Sequence, residues 1–280
     1  MIQPAAFFAR SLRLAAILVS LASPAIAQDV PDGHPPATTM RADEAKSPDR
    51  KSADSGKSEA KSEASQLPPA SVTHHFFKVA AATEIYTAEA GTLALPGSGG
   101  KTAANVFYVA YTRDPKNTKR PLTFVFNGGP GAAATYLHLG GIGPRVVEVN
   151  AKGELQGPPP ALADNPSTWL DMTDLVFVDP AQTGFSRVVE GVDPASYHSV
   201  VADGQQVAAF IRQWLRDNGR MESPQYLFGE SYGTMRAAQV ARTLLEGPDP
   251  VALEGIVLFG QALNIIEFSQ RPGNIISYAV

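Results

Sequence analysis

Ser231 lies in Gly229-Glu230-Ser231-Tyr232-Gly233, a G-x-S-x-G pattern between the apolar run Tyr226-Leu227-Phe228 and a stretch of helical periodicity. That setting predicts a sharp strand-to-helix turn with the serine hydroxyl exposed on it, the small glycines letting the backbone turn tightly beside it. A serine held this way attacks acyl carbons. It needs N–H donors for the developing oxyanion, a histidine to take its proton and an acid to orient that histidine. One donor is expected from the residue after the nucleophile, Tyr232, and the other from a loop that follows an earlier strand. Asn127-Gly128-Gly129-Pro130-Gly131 directly follows the apolar run LTFVF and has the glycine density that exposes backbone amides. The same segment lacks the Lys-Ser/Thr of a P-loop and the spacing of a dinucleotide fingerprint.

Three stretches, "FVFNGGPG…GIGPR", "DLVFVDPAQTGFSR" and "YLFGESYG", in this order and spacing resemble the serine carboxypeptidases related to carboxypeptidase Y, over roughly Phe124 to Phe259. The resemblance implies an α/β-hydrolase fold and exopeptidase action on peptide C-termini. It implies Ser231 as nucleophile and the amides of Gly129 and Tyr232 as oxyanion donors. Asn127 and Glu230 would hold the terminal carboxylate of the substrate, with Gly128 of the first motif as a further substrate-binding position. A glutamate beside an anionic group requires a shared proton, which raises a carboxyl pKa and favours hydrolysis at acidic pH. The chain departs from the family pattern at three places. Gly141 stands where many members carry a further acidic residue. Ala132, Ala133 and Ala134 replace the usual cysteine and serines, and the DPAQTGFSR segment is one residue shorter.

In α/β-hydrolases the acid and the histidine follow the serine in the chain. After Ser231 the sequence has one aspartate, Asp249, and no histidine. The five histidines are His34, His74, His75, His138 and His198. His138 falls in an expected helix and is read as a packed or surface residue. The apolar ending "NIISYAV" predicts an unpaired sheet edge, so the chain is expected to be the N-terminal part of a longer hydrolase whose Asp and His lie beyond Val280. The alternatives are a non-catalytic product that binds peptide ends through Asn127 and Glu230, and a reading frame without function. Esterase and acyltransferase chemistry would use the same serine and the same donors.

The elements that must carry these residues follow from periodicity. "HHFFKV", "TEIYTAE", "GTLALP" and "NVFYVAYT" read as antiparallel strands from about residue 72. "LTFVF" (122–126), "DLVFVD" (174–179), "YLF" (226–228) and "GIVLF" (255–259) read as buried strands covered on both faces. Val207, Phe210, Ile211, Trp214 and Leu215 form one helical stripe ending at Gly219. Ala237, Ala238, Ala241, Leu244 and Leu245 form another, closed by Gly247-Pro248. Alternating strands and helices predict a mostly parallel sheet with helices on both faces.

Arg10 and Arg13, the apolar run from Leu14 to Ala22 and Ala25-Ile26-Ala27 have the form of an export signal cleaved after Ala27. That core is short of the ~20 residues of a membrane span, so no stable membrane insertion is expected after cleavage, and the location is periplasmic or secreted. Residues 28–71 are rich in Ser, Lys, Glu, Ala and Pro and predict a disordered tether; residues 72–280 form the hydrolase region. With 280 residues, a net charge of −4 and no basic run, nucleic acid is not an expected partner. The absence of cysteine excludes a disulfide scaffold and thiolate chemistry. Adjacent His74 and His75 point to opposite faces of a strand, so no metal is expected, and no organic cofactor is implied.

Overall fold

In a computed structural model of the chain the described residues are 69–79, 82–155, 157–246 and 249–262. The expected signal (1–27), all but the last residues of the tether, Gly247-Pro248 and everything from residue 263 lie outside them.

The N-terminal strands are β1 (Ser71–Val79), β2 (Ala82–Pro96) and β3 (Thr102–Arg113), paired antiparallel in sequence order. "TEIYTAE" and "GTLALP", expected as two strands, are one long strand. Gly91 does not break β2, because the Tyr108 ring of β3 occupies the side-chain space: a Cβ at Gly91 would stand 2.8 Å from the Tyr108 hydroxyl. Glycine here accommodates a close cross-strand contact and not a turn.

β4 (Leu122–Phe126) is buried at every position and leads into the glycine-rich loop. After that loop come a helical turn, α1 (Thr135–Leu137), a π-type turn over His138–Ile142, and a hairpin of β5 (Arg145–Val147) with β6 (Leu162–Asp164). β7 (Asp174–Val178) is also buried throughout, and β8 (Arg187–Val188) adds to β3. α2 (Val200–Asp217), β9 (Gln225–Glu230), α3 (Tyr232–Glu246) and β10 (Gly255–Phe259) complete the order. Ser199 caps α2 by accepting from the Ala202 N–H at 3.0 Å, and Gly219, at φ +63°, follows its end.

The sheet runs β1-β2-β3-β7-β4-β9-β10, with β7, β4, β9 and β10 mutually parallel. Strand alternation sends Phe124 and Phe126 to one face, against Phe210, Trp214, Val240 and Leu244 of α2 and α3. Val125 and Phe177 face the other side, against Leu137, Ile142 and Leu170. Over β4, β7 and β9 both faces are thus covered, the second, among the described residues, by short helical turns. β10 departs from the buried strand expected at 255–259: with only β9 beside it among the described residues, Ile256, Leu258 and Phe259 are exposed. On α3 the buried stripe is Ala237, Val240, Ala241 and Leu244; Ala238 and Leu245 are exposed, a correction of the expected face.

One polar cluster fixes the N-terminal ends of the parallel strands. Asp174 opens β7 fully buried and accepts from Arg120 Nε at 2.8 Å and Arg220 Nη1 at 2.7 Å. Arg220, itself without solvent exposure, also donates to Ser223 Oγ at 2.6 Å and to the Arg120 carbonyl at 2.9 Å. Removing the shared carboxylate strands two guanidinium charges in a low-dielectric interior. Asp174→Ala should therefore lower the urea-unfolding free energy by about 3–5 kcal/mol; a loss under about 1 kcal/mol, the scale of an exposed pair, would show that the cluster is solvated.

Candidate active site

Ser231 stands between β9 and α3 at φ +55°, a left-handed conformation that non-glycine residues rarely adopt. Its backbone is tied on both sides. The Ser231 N–H donates to the Phe259 carbonyl at 2.9 Å, and its carbonyl accepts from Thr234 N–H at 2.9 Å and Thr234 Oγ1 at 2.7 Å. These bonds, with the packing around them, hold a geometry that costs on the order of 1–3 kcal/mol.

The flanking glycines answer to sterics. A Cβ at Gly229 would lie 2.0 Å from the Gly233 carbonyl oxygen, and one at Gly233 would lie 2.8 Å from the Phe126 carbonyl oxygen. On the facing loop, a Cβ at Gly128 would lie 2.6 Å from the Tyr232 nitrogen and 2.9 Å from Ser231 Cβ. The end of β4 therefore runs in backbone contact with the serine turn. Gly129 follows at φ +104°, exposed, and lines the same cavity as Ser231. The Tyr232 N–H is at the first position of α3, where helix N–H groups have no intrahelical acceptor.

Asn127 is almost wholly buried and held at three atoms. Its Oδ1 accepts from the Leu137 N–H at 3.1 Å, and its backbone carbonyl accepts from Arg236 Nη1 at 2.6 Å. Because only the carboxamide oxygen can accept from an N–H, the Nδ2 group is turned toward Glu230, whose Oε2 it meets at 3.1 Å. Both residues open on a cavity of about 730 Å³ that Ser231 also lines. Its other walls are apolar, with Tyr136, Ile142, Trp169, Phe228 and Phe259 among them, and Gly140 and Gly141 leave one side bare. The structure thus brings Asn127, Gly128, Gly129, Glu230, Ser231 and Tyr232 together, from two segments about a hundred residues apart.

Residues that sequence reading passed over hold this assembly. Asp179, just after β7, accepts from the Ala134 N–H at 2.9 Å and the Phe185 N–H at 3.2 Å, so it ties the glycine-rich loop to the loop after β7. Burial raises its pKa, and those two N–H groups offset only part of the rise. Arg236 of α3 and Asp203 of α2 form a buried ion pair at 2.8 Å beside the Tyr232 ring. The only sequence signal for Asp179 is an acid at the C-terminal end of a parallel strand, where α/β sheets place their sites.

The described histidines have other engagements. His138 hydrogen-bonds the Tyr111 hydroxyl at 2.6 Å and stacks on Phe177 at 4.6 Å. His74 bonds Thr87 and His75 bonds Thr73, both on the N-terminal strands, and His198 lines a separate cavity of about 410 Å³ with Tyr197 and Gln182. Asp249 is exposed and lies 3.8 Å from Arg216. Among the described residues no group of three or more His, Cys, Asp or Glu is placed to hold a metal ion.

Comparison with known proteins places these residues in a wider setting. The family model for serine carboxypeptidase matches residues 90–264. A serine carboxypeptidase S10 family member from Dictyostelium discoideum is 29% identical over 133 residues, 47% of this chain and 29% of that protein. A carboxypeptidase Y homolog from Arthroderma benhamiae is 25% identical over 181 residues, 64% of this chain and 33% of that one. The aligned region therefore spans about a third of the length of either relative. Among solved structures, Kex1(delta)p, a prohormone-processing carboxypeptidase from Saccharomyces cerevisiae, superposes with a TM-score of 0.52 at 21% identity, covering 69% of this chain and 43% of that one.

Burial lowers the His138 pKa from 6.5 to about 4. The folded state keeps this ring neutral while the unfolded chain takes up a proton below about pH 6.5, so stability falls as pH drops through that window. The contribution should be complete above the unfolded pKa and lost toward pH 4, on the order of 3 kcal/mol. His138→Gln, which stays neutral, should flatten the pH dependence of urea unfolding between those values; an unchanged slope would contradict a buried neutral imidazole.

Proposed function

The chain belongs to the serine carboxypeptidase family and has the α/β-hydrolase fold, and on that premise we propose that it acts on peptide C-termini through an acyl-enzyme on Ser231. The observation that carries this reading is the position of Ser231, at a left-handed φ on the rim of a cavity whose polar wall is the Asn127–Glu230 pair. In the proposed complex the last residue of a peptide occupies that cavity. Asn127 Nδ2 donates to its carboxylate, and Glu230 meets the same carboxylate through a shared proton, which favours acidic pH.

Ser231 Oγ then attacks the last peptide carbonyl while the N–H groups of Gly129 and Tyr232 donate to the oxyanion. Each such donor lowers the barrier by about 3 kcal/mol. The serine proton passes to a histidine and on to the departing amino group, and water subsequently releases the acyl chain. With Gly141 in place of a further acid, Asn127 and Glu230 are left as the carboxylate grip. The sequence at 1–27 supports export, so the peptides would be met outside the cytoplasm.

No histidine follows Ser231 within these 280 residues. Assayed by itself the chain should therefore be nearly inert, since loss of the histidine alone costs about 10⁶-fold in turnover in a serine protease. The decisive experiment uses the protein expressed from its native reading frame and a blocked dipeptide. Release of the C-terminal amino acid should disappear with Ser231→Ala and fall at least about tenfold when that terminus is amidated. Release that survives Ser231→Ala would sink the proposal; equal action on esters and amidated peptides would favour esterase or acyltransferase chemistry at the same serine.

A further inference from the structure

Arg236 is a cation with 2% of its surface exposed, and a charge so placed needs a reason. Its Nε donates to Asp203 Oδ2 at 2.8 Å, which neutralises it. Its Nη1 reaches past the start of α3 to the Asn127 carbonyl at 2.6 Å. The guanidinium lies 5.7 Å from the Phe126 ring centroid and 5.2 Å from that of Tyr232, sandwiched between the end of β4 and the residue after the serine. Burial raises the Asp203 pKa, and the adjacent Arg236 charge acts against that rise.

We propose that Arg236, backed by Asp203, is a positioning residue that sets the Asn127 backbone, and through it the orientation of the carboxamide that faces Glu230. This rests on the reading of Asn127 and Glu230 as the carboxylate grip. The physical argument is one of fixed points. Asn127 leaves β4 at the place where the chain turns into a glycine-rich loop with little side-chain packing of its own. Gly233 lets α3 approach that carbonyl so closely that a Cβ there would lie 2.9 Å from it, and Arg236, three residues on, is one helical turn above. The planar guanidinium spans the carboxylate and the carbonyl with two directed N–H groups, which a lysine ammonium at the end of a flexible stem does not reproduce. With the carbonyl fixed by Arg236 and Oδ1 fixed by the Leu137 N–H, Nδ2 is left pointing into the cavity.

A variant lacking Arg236 alone would bury the Asp203 carboxylate unpaired, so the test removes both charges. Asp203→Leu/Arg236→Met keeps side-chain volume, and replacing a buried pair by apolar residues is commonly tolerated. Amide hydrogen exchange on the full chain is compared with Asp174→Asn, which loosens the fold from the other end of the sheet. The double variant should speed exchange in residues 128–137, including the Leu137 N–H, about tenfold or more while β7 stays protected. Its binding preference for a blocked dipeptide with a free carboxylate over the amidated dipeptide, measured by calorimetry, should fall to near parity, whereas Asp174→Asn keeps that preference. Exchange in 128–137 no faster than in Asp174→Asn would overturn the role given to Arg236. If the unsubstituted chain shows no preference for the free carboxylate, the carboxypeptidase reading fails, and the exchange comparison still decides what Arg236 does.

Discussion

Everything in the site depends on how closely the end of β4 approaches the turn after β9. Backbone meets backbone there: Gly128 against the Tyr232 nitrogen, and Gly233 against the Phe126 and Asn127 carbonyls. No side chain larger than hydrogen fits at those positions, and the same contact brings a loop with its own left-handed glycines beside Ser231. The left-handed Ser231 is sustained by this approach together with its bonds to Phe259 and Thr234. Nucleophile, loop and cavity are one geometric solution, and a methyl group at either glycine would disturb all three.

Holding two strand ends at such a distance takes anchors, and the protein uses buried ion clusters at both ends of the parallel sheet. Asp174 with Arg120 and Arg220 ties the N-terminal ends of β4, β7 and β9. Asp203 with Arg236 does the corresponding work at the C-terminal ends, where it also touches Asn127 and Tyr232. Buried pairs of this kind add little net stability over apolar packing, because desolvation offsets the attraction. Their directed bonds do specify where backbone atoms sit. The apolar layers of Phe124, Phe210 and Trp214 on one face, and of Val125 and Phe177 on the other, supply the bulk of the driving force for folding.

The sequence was most readable where a physical constraint leaves a local mark. β4, β7 and β9 appeared as apolar runs because both their faces are buried, and the two long helices appeared through their spacing. β10 is just as apolar but leaves Ile256, Leu258 and Phe259 exposed, because burial is set by what packs on a strand and not by its own composition. The serine and its facing loop were legible because glycine is required at fixed offsets in each. Reading failed where the cause is tertiary. The continuity of β2 through Gly91 depends on a tyrosine in the neighbouring strand. The buried face of α3 takes Val240 in place of Ala238 because its direction is set by α2 and the sheet. Asp203 and Arg236 lie 33 residues apart, and nothing in the local sequence of either marks the other as its partner. Asp179 was read as the last residue of a strand, while its carboxylate spans two loops.

The central claim is geometric: a peptide end sits with its carboxylate on Asn127 and Glu230 and its last carbonyl over Ser231. A crystal structure of the chain with a blocked dipeptide bound tests this most directly. The predicted result is a carboxylate oxygen within hydrogen-bond distance of Asn127 Nδ2 and of Glu230, with the scissile carbonyl oxygen facing the N–H groups of Gly129 and Tyr232. A dipeptide bound with its carboxylate elsewhere, or seated in the cavity beside Tyr197 and His198, would contradict it.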